Sequence, residues 1–352
     1  MELEIWSLSG SHFHFGDQGL GQENTRSFWS SDSLFAALIA RLAVLRDPQA
    51  VETWVHPFLS RDVPFLITSL YPYAGEVLFF PIPLAAAIPD GKPLSAQIRP
   101  KELKRVQFVS EGLYRQLLQG QSLADLQSTA VKIQGGRVWL TQQERHKLPA
   151  QFRQGSEDRV WQIEKRPRVT VDRASNRGSL FHVGAVHFAK HCGLWFGAQW
   201  LKPSQFHQDW FATLLYDLGE AGLGAERSVG YGKGEFSRLG HLTFPDPLQA
   251  WTSLSRYLPR LEEMEAFRYQ RAAWKIQSVG GWLVSSQKSG QRRRLINLVQ
   301  EGATLGVPSD CSAPYGRLVD VRPRYPLGIE YPIQHPVYRC GLTVAVGYGG
   351  EA

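Results

Sequence analysis

Residues 2–8 set Leu3 and Ile5 against Glu2 and Glu4, the two-residue period of a half-buried strand. After a turn-rich stretch carrying Gly16, Gly19 and Gly21, Leu34, Leu38, Leu42 and Leu45 fall on one helical face. Ser31 is the expected N-cap of that helix, its hydroxyl accepting from a first-turn N–H, and Asp32 suits the positive end of the dipole. Residues 65–70 and 77–80 are β-rich runs separated by Tyr71-Pro72-Tyr73-Ala74-Gly75, which predicts a hairpin with a wide turn. The order β-α-β-β opens a ferredoxin-like βαββαβ unit, the architecture of RNA-recognition-motif folds.

The second helix of that unit is delayed by a long insertion. It is predicted over 204–218, where Phe206, Trp210, Leu214, Leu215 and Leu218 make an apolar stripe ending at Gly219. A second β-rich region runs from about Trp274 through 282–284, 295–299, 318–321 and 337–346, and predicts a second small sheet domain. Between them, residues 248–264 read as a helical connector. The fold class expected is α+β, with one domain over 1–247 carrying an insertion at 90–195, and a second over 248–352.

The most informative segment is the glycine-rich loop 222–234. Gly222, Gly224, Gly230, Gly232 and Gly234 alternate there with Arg227, Ser228, Tyr231 and Lys233. A chain without Cβ atoms approaches a phosphate closely and offers N–H groups as a nest, while Arg227 and Lys233 supply charge. Two familiar phosphate loops are excluded. A Walker loop needs Ser or Thr after Gly-Lys, but Gly234 follows Lys233. Arg227 breaks both that motif and G-x-G-x-x-G, and here a helix precedes the loop and a strand follows. The plainer reading, a connection that merely turns, leaves the two cations unexplained.

A net charge of +7 favours a polyanionic partner without proving one. The 12% aromatic content, with 11 Trp, demands large buried or partner-facing surfaces. Cys192, Cys311 and Cys340 form no C-x-x-C pair, so neither a disulfide framework nor a zinc ribbon is indicated. The N-terminus is acidic and the longest apolar stretch, 34–45, is broken by Arg41. Neither an export signal nor a membrane span is expected, and a cytoplasmic location is.

Residues 166–188 read as a basic hairpin turning through Ser175-Asn176-Arg177-Gly178. Arg168, Arg173 and Arg177 are candidates to clamp phosphates while Phe181 stacks on a base, the usual way of holding single-stranded RNA. Arg292-Arg293-Arg294 reads first as a solvated edge. His187, His191 and Cys192 have a metal-like spacing only on a helix, and this stretch reads as strand and turn. No metal or cofactor is expected. His12 and His14 alternate with Phe13 and Phe15. That pattern is a sheet edge, or an acid–base pair for RNA cleavage.

The loop 222–234, set between the second helix and last strand of a ferredoxin-like unit, resembles the glycine-rich signature of the RAMP superfamily of CRISPR proteins. Phe13-His14-Phe15-Gly16, Ser31-Asp32-Ser33-Leu34-Phe35 and Phe79-Phe80-Pro81-Ile82-Pro83-Leu84 resemble the fourth subunit of the type III-A Csm effector complex. So do Lys104-Arg105-Val106-Gln107-Phe108-Val109-Ser110, Val171-Asp172-Arg173, Gly280-Gly281-Trp282 and His335-Pro336-Val337-Tyr338-Arg339. Ser33 in place of the usual Thr, an extra Gly234 and Cys340 in place of an aromatic are small departures.

The resemblance implies two ferredoxin-like (RRM-like) domains and identifies the hairpin as an inserted thumb. It implies a non-catalytic subunit that caps the repeat-derived 5′ tag of the crRNA. The partners would be the large polymerase-like subunit and a neighbouring RAMP backbone subunit, with target RNA engaged indirectly and no membrane. The RNA-binding residues expected are Gly16, Ser31, Lys104, Arg105, Arg168, Arg173, Arg177, Phe181, Gly222, Gly224, Arg227, Ser228, Gly230, Tyr231, Gly232 and Lys233. Two alternatives stay open: a RAMP endoribonuclease that matures the guide through His12 or His14, and a metabolic enzyme that binds phosphate at the glycine loop.

Overall fold

A computed structural model describes residues 1–16, 24–87, 100–155, 158–171, 177–283, 290–325 and 333–349. Strand β1 (Glu2–Ser9) forms where the alternation predicts it, with six of its eight residues buried. Helices α1 (Ser31–Leu45) and α2 (Pro48–Leu59) follow, then strands β2 (Phe65–Ile67), β3 (Tyr71–Ala74) and β4 (Val77–Pro81). The hairpin is β3–β4, closed tightly at Gly75 and Glu76, so the segment expected as a wide turn is itself a strand. Tyr71 and Ala74 are buried, and that burial keeps the segment extended.

The insertion contributes short helices α3 (Pro100–Leu103), α4 (Glu111–Leu118), α5 (Leu123–Leu126) and α6 (Ala150–Arg153). Its strands β5 (Phe108–Ser110), β6 (Val131–Ile133) and β7 (Val138–Leu140) extend the sheet beyond β4. The long strands β8 (Trp161–Val171) and β9 (Gly178–Phe188) pair with each other along their whole length, and β10 (Cys192–Trp200) returns to the sheet. Helix α7 (Gln205–Ala221) is capped by Ser204, whose hydroxyl accepts from the His207 N–H. It runs past the expected stop at Gly219, where the Gly234 N–H donates to the Gly219 carbonyl at 3.1 Å and holds the last turn against the following strand. Strand β11 (Glu235–Thr243) completes the unit.

The spatial order β11-β1-β10-β2 is antiparallel throughout, and α1 packs against α7. That is the connectivity of a βαββαβ unit. Its third strand is β10 and not residues 77–80, so the insertion falls between the second and third strands.

The connector helix expected over 248–264 does not form. Strand β12 (Ala250–Ser253) occupies its start, buried at every position, and a 3-10 segment spans Leu261–Arg268. A stretch buried on both sides cannot show the one-sided stripe of a surface helix. The remaining strands are β13 (Ile276–Val279), β14 (Trp282–Leu283), β15 (Gln291–Arg292), β16 (Ile296–Val299), β17 (Thr304–Gly306), β18 (Leu318–Asp320), β19 (Tyr338–Cys340) and β20 (Ala345–Tyr348). They form a three-stranded sheet, β17-β12-β20, and three two-stranded pairs.

One apolar core runs from Leu3 and Leu34 through Phe80 and Trp195 to Leu254 and Val346, and a smaller cluster surrounds Trp251 and Tyr257. Polar ties cross beside the core. Asp32 meets Arg339 at 3.0 Å, and Arg256 meets Glu301 at 3.0 Å, all four side chains buried. Among the described residues no helix is long and apolar enough to cross a membrane.

Candidate nucleic-acid interface

The β8–β9 hairpin is registered from Trp161 opposite Phe188 to Val171 opposite Gly178. A free two-stranded ribbon is marginal in water, and this one takes its backbone anchorage at its root. Phe13 and Val186 exchange backbone hydrogen bonds of 3.0 and 2.8 Å, and the His14 ring Nδ1–H donates to the Gly184 carbonyl at 2.6 Å. Beyond that root Val169, Val171 and Leu180 stand exposed together with Arg166. Arg177 is exposed beside the tip, while Arg173 lies outside the described residues.

Arg168 is the joint between hairpin and loop. It sits opposite the half-buried Phe181 in the ladder, and its guanidinium lies over the Tyr231 ring at 5.3 Å from the centroid. Such a cation–π contact contributes about 0.5–1 kcal/mol near the surface. The glycine loop therefore packs on the hairpin through a side-chain contact that the sequence does not reveal.

The loop divides into a packed base and an open apex. Leu223 N–H donates to Gly232, Ala225 N–H to His14 and Gly232 N–H to His12, at 2.8 to 3.0 Å. Gly222, Tyr231 and Gly232 are buried and Gly224 is half-buried. The expected nest of free N–H groups is therefore not spread over the loop, because these amides close it onto itself and onto residues 12–14. At the apex, a 3-10 turn over Arg227–Val229 leaves Arg227, Ser228, Gly230 and Lys233 exposed. Among the described residues, no acidic side chain pairs with Arg168, Arg177, Arg227 or Lys233.

Other expected contacts part in the same way. Gly16, Lys104 and Arg105 are exposed. Ser31 is buried, and the cap of α1 is Ser30, without a side-chain bond. Ser31 instead accepts from the Arg256 N–H at 2.9 Å while its own N–H donates to Ser69 Oγ at 2.9 Å, fastening α1 to the C-terminal sheet region. Ser31 thus lies buried at a seam within the protein and not on its surface.

Lys104 borders a cleft of about 680 Å³ that also takes in Arg26, Phe28, Arg137, Ile163 and Lys275. Those cations are not legible in sequence because they come from four separate segments. The His12 ring meets His187 at 4.1 Å between centroids and Tyr231 at 6.1 Å. His187 is the neighbour that sequence spacing could not supply. Burial, then the Arg166 charge, lowers the His12 pKa below its usual value, with Glu164 opposing. Burial, then His12, lowers that of His187, which Glu164 raises and Arg166 lowers further. His14, the other candidate for acid–base work, is buried on the hairpin root. Among the described residues no group of His, Cys, Asp or Glu has the geometry of a metal site.

Residues 247–348 match the family described as the CRISPR Csm4 C-terminal domain. The chain is 22% identical over 320 residues to the CRISPR system Cms protein Csm4 of Thermococcus onnurineus (strain NA1), covering 90% of each. Its fold is similar to a chain of the Csm3–Csm4 subcomplex of a type III-A CRISPR-Cas interference complex, with a TM-score of 0.66 at 14% identity, over 98% of this chain and 99% of that one. It is also similar to a chain of a Csm1–Csm4 cassette in complex with cA4, with a TM-score of 0.57 at 16% identity and full coverage of both.

Proposed function

We propose that this chain, a Csm4-like member of the RAMP superfamily, is a non-catalytic subunit of a type III CRISPR effector complex that grips the repeat-derived 5′ tag of the guide RNA. The observation that carries the reading is the set Arg168, Arg177, Arg227 and Lys233, brought to one hairpin and one loop apex without acidic partners among the described residues. Cations left unneutralised on the ribbon and the loop apex beside the half-buried Phe181 suit single-stranded RNA, whose phosphates take the charge and whose bases stack. The exposed Gly16, Lys104 and Arg105, and Arg173, which lies outside the described residues, are assigned to RNA in the same reading. The buried Gly222, Tyr231 and Gly232 and the half-buried Gly224 give the loop its shape.

The similar solved assemblies pair Csm4 with Csm3 and with Csm1. They support a position between a backbone subunit and the large polymerase-like subunit, with target RNA engaged only through the guide. In this reading the protein works in the cytoplasm and uses neither cofactor nor metal.

The test is titration of the full chain with tag-bearing RNA and with scrambled RNA of equal length, followed by gel analysis of the recovered RNA. Preferential binding of intact tag RNA is expected. Site-specific cleavage would replace the reading with an endoribonuclease, and absence of RNA binding would overturn it.

A further inference from the structure

At the root of the hairpin, His12 and His187 present two rings in edge-to-face contact, interplanar angle 76°. Ser11 Oγ occupies His12 Nδ1 at 2.7 Å, and His12 Nε2 has no partner among the described residues. His187 Nε2 stands 3.3 Å from Arg166 Nη2 and 3.5 Å from Glu164 Oε2, while Arg166 and Glu164 are themselves 3.5 Å apart. A guanidinium only donates hydrogen bonds. The Arg166 contact therefore needs an unprotonated His187 Nε2, whereas a protonated ring turns its N–H to Glu164. Protonation of His187 exchanges one partner for the other and releases an Arg166 N–H, on a side chain that is 44% exposed.

We propose that His12, His187 and Arg166 form a phosphodiester-binding site at the hairpin root, and that a backbone phosphate of single-stranded RNA held there brings a proton onto the imidazole pair. The inference rests on the RNA-gripping reading and adds to it a proton that binds with the RNA. Arg166 supplies a fork matched to phosphate oxygens, and the imidazolium made by the one proton adds a charge-assisted donor. Among the described residues, the other charged or titratable groups facing the pair are Glu164 on β8 and Tyr231 on the loop, with Arg168 over the far side of the Tyr231 ring.

Without RNA the rings resist protonation, because burial and Arg166 oppose a further positive charge. A bound phosphate reverses the balance by adding a negative charge, so the pKa of the pair is higher in the complex than in the free protein. Affinity then rises as pH falls through the bound value and levels off below the free value.

The experiment uses the full chain and a short oligouridine carrying a pH-insensitive rhodamine, with anisotropy titrations from pH 8 to pH 6. The wild type should tighten by about threefold to tenfold, up to one proton's worth per pH unit. His12→Gln and His187→Gln should bind oligouridine with a flat pH profile. Ring-proton NMR should show the two histidine titrations moving to higher pH on addition of oligouridine, a readout that needs no variant. A flat wild-type profile, or variants that keep the slope, overturns this site while leaving the RNA-gripping reading standing. Failure to bind oligouridine and tag RNA at every pH ends both.

Discussion

Gly230 and Gly232 lie two residues apart in one loop, yet replacement by alanine should act on different properties. Both have positive φ, +91° and +82°, where an L side chain costs about 1–2 kcal/mol. A Cβ on Gly230 meets nothing within 4 Å, whereas one on Gly232 would lie 2.1 Å from the Leu223 carbonyl oxygen and 2.7 Å from its nitrogen. Those are backbone atoms and cannot swing aside. Relief must separate the two sides of the loop, breaking the bonds from Leu223 N–H to Gly232 and from Gly232 N–H to His12, each contributing about 1 kcal/mol. Gly230→Ala should therefore cost about 1–2 kcal/mol and Gly232→Ala roughly 3–4 kcal/mol, summing backbone strain and two broken bonds. At about 2 °C per kcal/mol for a chain of this size, melting should fall by about 2–4 °C and about 6–8 °C respectively.

Binding of tag RNA by the folded protein should respond in the opposite order. The exposed Gly230 sits in the apex beside Arg227 and Ser228, where the proposed function has backbone meet phosphate, while Gly232 shapes the base. The assay is paired differential scanning calorimetry and RNA titration on both single variants. Equal melting losses would refute the division of the loop. Normal RNA affinity in Gly230→Ala beside a marked loss in Gly232→Ala would place recognition in the base and not the apex.

Replacing Arg168, Arg177 and Arg227 with glutamine should flatten the dependence of log affinity on log salt by about 0.7 for each phosphate left unneutralised, and an unchanged slope would remove them from the RNA surface. Arg339→Met, which strands Asp32 in a buried site, should destabilise by about 3–5 kcal/mol in denaturant unfolding, and a loss below about 1 kcal/mol would show the pair to be hydrated. His12→Ala and His14→Ala in the assembled effector should lower guide processing and target cleavage by far less than about a hundredfold, because in this reading the two rings hold RNA and the hairpin root and are not a general acid or base. A drop of about a hundredfold or more in either assay would mark a general acid or base.

The elements that can be read from sequence are those whose residue types carry a local periodic, turn or capping mark. Strand β1, the hairpin and the capped start of α7 all carry local marks, namely alternation, basic residues around a Gly-bearing turn, and a Ser N-cap. Strand β10 carries none, because Cys192–Trp200 holds no alternating charged residues, whereas β1 keeps Glu2 and Glu4 in alternation although six of its eight residues are buried. With that strand silent, the pattern assigns the third strand of the unit to residues 77–80. Residues 250–253 mislead likewise, being buried on both faces and lacking the β-branched run that favours strand over helix.

For the interface, residue type is legible and assignment of role is not. Arg227, Ser228 and Lys233 stand where a phosphate-facing loop needs them, yet Ser31 and Tyr231 are consumed by contacts with Arg256 and Arg168, which are distant in the chain. The same long-range pairing sets His12 against His187, and not against the His14 that the sequence offers beside it. A single ring beside an arginine at a hairpin root is a poor proton donor to RNA. His187, with the His12 ring against it, has two hydrogen-bonding arrangements of comparable geometry, 3.3 Å to Arg166 and 3.5 Å to Glu164 at one nitrogen, and in the proposal a phosphate biases which of them is occupied. Charge at the hairpin root is thus set by what is bound, while charge at the loop apex is fixed by Arg227 and Lys233. The two ends of the surface should consequently differ in their response to pH: titration should alter contacts at the root and leave the salt-sensitive grip of the apex in place.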